Sequence, residues 1–170
     1  MFSLQGYHDG LKREMELAQE AYCETAVDSA VDLLLLFMHK LQLEVSIVDL
    51  STKMEQALDA AGKAPMEFPS VHRLPDANAF LASLRDPETG EMRPHIESIS
   101  IFLKNSVIIA ITTFGIFPDV HNDELAFQNA INVTFQKLTA IWRKRAALWI
   151  AQPDAFDQVR RNAIRPWSER

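Results

Sequence analysis

The sequence predicts an all-α protein: a single-domain bundle of about five to six helices around one buried apolar helix at 94–114. Three observations predict it. No Gly or Pro interrupts Leu11 to Ala61, and apolar residues recur there every three or four positions. The stretch "SISIFLKNSVIIAITTFGIF", residues 98–117, holds one charge in twenty positions between Pro94 and Pro118. Helical spacing returns between His121 and Gln152 and stops at Pro153.

In chain order, Leu11, Met15, Ala18, Tyr22, Ala26, Ala30, Leu33 and Phe37 line one face of a long amphipathic helix. "LLLLFM" (33–38) is apolar on every side, so its end should lie inside the molecule. After a break near "HKLQ", a second stripe, Leu43, Ile47, Leu50, Met54, Leu58 and Ala61, gives another helix with Gly62 as its C-cap. A rival reading makes 43–48 a strand and starts the helix at Thr52, which opens a capping-box pattern. Residues 62–75 carry three prolines and no period, and predict an irregular connection. Asp76 suits the N-cap of a short helix, "ANAFLASLR", which "DPETGE" would end in a turn.

The apolar stretch admits three structures. A membrane span fails on length, since the uncharged run from Asn105 to Pro118 is fourteen residues against the roughly 18–20 required. A hairpin at 96–114, which with the strand at 43–48 would make the fold α+β, draws on nine β-branched residues and on the alternation of Ile99, Ile101 and Leu103 with polar neighbours. Its turn, "KNS", is a poor one. The helix is favoured by its punctuation: Pro94 at the first position, Glu97 in the first turn, Gly115 at the end and Pro118 beyond. Ile96, Ile99, Leu103, Val107, Ala110 and Phe114 then form one stripe, with Ser98, Asn105 and Thr112 on a narrow polar line. The next long helix carries Leu125, Ile131, Phe135, Leu138 and Trp142, and Asp154 caps a last one reaching Ile164, leaving 165–170 as a loose end.

Composition fits one compact core. Hydrophobic residues are 48 % and charged residues 24 % of 170, with five Gly and eight Pro, which excludes a long disordered tract. The opening residues show neither a secretory nor a transit pattern, and Cys23 is the single cysteine, so the sequence points to a soluble cytoplasmic protein without disulfides. The net charge of −6 is uneven: from Gln136 onward there are eight basic and three acidic residues. The rest of the chain is acidic.

Chemical signatures are few. No Gly-x-Ser-x-Gly elbow or phosphate-binding Gly-rich loop is present, and Cys23 has acidic neighbours that should raise its pKa, so no catalytic residue is assigned. The five histidines form no Glu-x-x-His or His-Glu-x-x-His pattern, so neither metal nor cofactor is expected. The Trp-rich basic segment from Trp142 to Trp167 fits no recognised nucleic-acid module, and the acidic whole argues against that partner.

One pattern remains. Glu16, Glu20, Glu24, Asp28 and Asp32 stand four apart on the first helix, with no Lys or Arg between Glu14 and His39. Like charges at that spacing cost a few tenths of a kcal/mol per pair, so a basic partner or the chain's own Arg143, Lys144, Arg145, Arg160 and Arg161 should offset them. The sequence therefore favours a non-enzymatic interaction protein, an adaptor, inhibitor or regulatory subunit, with this row as its docking face. Homodimerisation is compatible with it. The alternative is a bundle, enzymatic or not, that binds a small apolar ligand in a pocket beside 98–112, with Ser98, Asn105, Thr112, His95 and His121 as its polar contacts.

Overall fold

The computed structural model describes residues 4–40, 42–63, 66, 88–89 and 96–168. Among them are five helices and no strand: α1 (Leu4–Lys40), α2 (Ile47–Lys63), α3 (Ile96–Thr113), α4 (Glu124–Ala151) and α5 (Pro153–Ser168). The all-α bundle is what the periodicity predicts, and the α+β alternative fails in both its parts. Residues 43–46 are irregular and α2 begins at Ile47, while 96–113 is one helix. The expected short helix from Asp76, most of the connection at 62–75, Pro94, His72 and His95 lie outside the described residues.

The break after α1 is a Schellman turn. The Leu43 amide donates to the Met38 carbonyl at 3.0 Å and the Gln42 amide to His39 at 2.9 Å, with Gln42 in the left-handed region at φ 59°. Glycine normally fills that position because it has no Cβ to strain the backbone. Gln42→Gly should therefore raise the unfolding free energy by about 0.5–1 kcal/mol in urea titrations, with an unchanged slope. Four residues later Ser46 starts α2. Its hydroxyl accepts from the Asp49 amide at 3.1 Å while the Asp49 carboxylate accepts from the Ser46 amide at 3.4 Å, a reciprocal cap well before Thr52. Gly62 lies inside α2 rather than beyond it, since the helix continues to Lys63.

At the other junction Gln152 serves two helices. Its amide donates to the Leu148 carbonyl at 2.8 Å, closing α4, and its carbonyl accepts from Ala155 at 3.0 Å, opening α5 with Pro153 as first residue. The last helix reaches Ser168, about one turn past the expected end at Ile164. Asp123 caps α4, accepting from the Leu125 amide at 2.9 Å.

α3 packs against α1, α2 and α4, and α5 is held by α1 and α4. α1 lies against α3. The buried Gln19 donates from Nε2 to the Ala110 carbonyl at 3.4 Å, and the Tyr22 ring lies 5.6 Å from that of Phe114. Gly115, at φ 66°, ends this region with Met15 beside it. Ile99, Leu103, Val107, Ala110 and Ile111 are buried in one continuous core with Leu35, Leu50, Met54, Leu138 and Trp142. α3 is not enclosed all round, however, because Ile101 is 42 % exposed. Among the described residues no helix is long and apolar enough to cross a membrane.

Candidate functional site

The acidic row is an edge of the packing itself. Gln19, Cys23, Val27, Val31 and Leu35 are all buried and stand four apart. They form one ridge of α1, the kind of i±4 row that fits the groove of a crossing helix. Glu20, Glu24, Asp28 and Asp32 each follow a member of that ridge by one residue, so they form the adjacent ridge, which emerges at the surface. The row keeps its station beside the core because both ridges drift around the helix together. Glu16 is half-buried, and the other four are exposed.

The row divides into two parts. At its carboxyl end Arg145 of α4 faces Asp28, Nε to Oδ1 at 3.4 Å. This is the internal neutralisation that the basic end of the chain offers, and such a partly exposed pair contributes no more than about 1 kcal/mol. Asp32 is different. Although the residue as a whole is exposed, partial loss of water around its carboxyl, and secondarily the charge of Asp28, push it above the usual range. Glu16, Glu20 and Glu24 form no ion pair with any described residue. Of the other cations expected to help, Arg143 pairs with Glu55 at 3.4 Å and Arg160 with Asp157 at 3.1 Å, both away from the row.

Cys23, on the buried ridge, is a structural thiol. Its pKa is raised to about 11, chiefly by burial; Glu20 adds to the shift and Lys137 opposes it. The sequence attributed this shift to the acidic neighbours, but the larger cause is loss of water. Among the described residues no group of three or more His, Cys, Asp or Glu is placed to hold a metal ion.

The alternative site gathers little. Ser98, Asn105 and Thr112 do share a line on α3 by register, but the Thr112 hydroxyl is spent on the Ile108 carbonyl at 2.7 Å. Asn105 and His121 are half-buried. Asn105, Thr112 and His121 line none of three cavities formed by described residues. The largest, about 660 Å³, is an open groove between α2 and α4 whose charges are matched at home: Glu55 with Arg143, and Asp59 with Lys63 at 2.9 Å. The second, about 350 Å³, lies where α1, α4 and α5 meet. It takes in Asp28 and Asp32, so the acidic row runs into a cavity, which spacing in the sequence does not reveal. The third, about 230 Å³, sits by the end of α1 near His39 and Arg160.

Compared with known proteins, the chain matches no family model, no curated protein sequence and no solved structure.

Proposed function

We propose that this chain is a non-enzymatic interaction protein, a cytoplasmic adaptor or regulatory subunit, that docks a basic protein partner along the Glu16, Glu20 and Glu24 face of α1. The observation that carries the reading is the unequal treatment of the acidic ridge. Asp28 has an arginine from its own chain, while the three glutamates stand in line, four apart, and form no ion pair with any described residue. Their mutual repulsion costs a few tenths of a kcal/mol per pair, and a partner's lysines or arginines would relieve it.

The test replaces all three with Gln, which keeps size and helix propensity and removes only charge. Wild type, immobilised at low salt and exposed to extract from the native source, should retain a basic protein identifiable by mass spectrometry. That protein should elute near 0.5 M salt, where screening shortens the reach of charge to about 4 Å. Glu16→Gln/Glu20→Gln/Glu24→Gln should retain at least about tenfold less, with equal or slightly higher thermal stability. Undiminished capture by the triple variant at low salt would show that the ridge is not the docking face.

A further inference from the structure

The crevice between α1, α4 and α5 is distinguished from the other two cavities by its charge balance. Two carboxylates, Asp28 and Asp32, meet one cation, Arg145, and Arg145 is placed on Asp28. Asp32 forms no ion pair with a described residue and stands at the edge of a cavity with an apolar wall of Val31, Trp149 and Val159. A monocation carried on an aliphatic stem complements both features: charge for Asp32, hydrocarbon for the wall. Of the two basic side chains, lysine fits better. Its charge is a compact point on a four-carbon stem, whereas a second guanidinium would compete with that of Arg145 for the same carboxylate pair.

We propose that this crevice is an anchor site for a lysine side chain of the docked partner, with Asp32 as counter-ion and Trp149 against the stem. The inference rests on the docking function above and extends it. The unpaired glutamates lead along the ridge into the crevice, so a partner carrying several cations meets Glu16, Glu20 and Glu24 by charge alone and is fixed in register where one lysine enters. The carboxyl of Asp32 is held up by lost water and by Asp28, and a bound ammonium offsets both costs.

The probe is n-butylammonium, which has the stem and charge of the lysine side chain, titrated into the full chain and followed by NMR. Butanol serves as the neutral control. Shifts should appear at the Trp149 indole and the Asn162 side-chain amide with butylammonium and not with butanol. Asp32→Asn should weaken them about tenfold. Asn162→Phe, at an exposed position on the rim, should block them without disturbing the core. The triple Gln variant should leave them unchanged, because its glutamates lie outside the crevice.

The same two crevice variants, used in the capture experiment, should retain at least about tenfold less partner. Four outcomes overturn the inference: no shift at Trp149, equal shifts with butanol, binding indifferent to Asp32→Asn, or crevice variants that close the site yet capture partner normally. In the last case the ridge reading survives if the triple variant still loses the partner. Conversely, crevice variants that release a partner the triple variant keeps would sustain the anchor and sink the ridge.

Discussion

Leu103→Ala will lower the unfolding free energy by about 2–5 kcal/mol, whereas Ile101→Ala, two residues earlier on the same helix, will change it by about 0.5 kcal/mol or less. Leu103 is fully buried where α3 meets its neighbours, so truncation loses its transfer free energy and leaves a cavity that the surrounding helices cannot close. Ile101 is 42 % exposed, and what burial it loses is partly returned by the better helix propensity of alanine. The pair discriminates between architectures. On a strand, residues 101 and 103 point to the same face and would respond alike; on a helix they point about 200° apart. Urea titrations of both variants would measure the contrast, and equal losses would be incompatible with α3.

The apolar stretch is legible because its carboxyl end is written more plainly than its middle. Nine β-branched residues speak for a strand, yet Gly115 falls where the chain must turn left-handed, and the observed helix stops two residues before it. The break after α1 was harder to place, because the left-handed position is filled by Gln42, a residue with no such preference. The start of α2 was misplaced by the rival reading for a related reason: Ser46 and Asp49 form the cap with Asp where Glu is the familiar partner.

The acidic row itself was visible as a spacing. Its division was not, since the distance from Asp28 to Arg145 spans 117 positions of sequence and depends on how α4 is laid beside α1. A fourfold spacing also looks like a drifting stripe on an isolated helix. Only the parallel burial of Gln19, Cys23, Val27, Val31 and Leu35 shows that the neighbours follow the same drift. The cavity at the end of the row has no sequence signal, because its walls come from three helices.

Trp142→Ala is expected to cost about 3–5 kcal/mol, and to loosen α5 more than the remainder of the bundle. Among the described residues Trp142 is the largest fully buried side chain, and it heads a series of rings that crosses the Gln152 junction: Trp142 to Trp149 at 6.0 Å, then Trp149 to Phe156 at 5.8 Å. The last member belongs to α5. Edge-on and tilted aromatic pairs at such distances add about 0.5–1.5 kcal/mol each beyond the area they bury. Removing the first ring lets the second relax into the space and weakens its hold on the third, so amide exchange in α5 should accelerate before that in α2 or α3. Trp142→Phe separates this from simple loss of volume. It keeps an aromatic ring against Trp149 and removes the indole Nε1, which is buried without a hydrogen-bond partner among the described residues, as is the Thr134 hydroxyl two turns earlier. An orphaned buried donor costs about 1–3 kcal/mol, so its deletion offsets part of the lost packing, and the Phe variant should fall well short of the Ala variant. If the two substitutions cost the same, the ring series does not couple α4 to α5, and the hold on the last helix must come from its contact with α1.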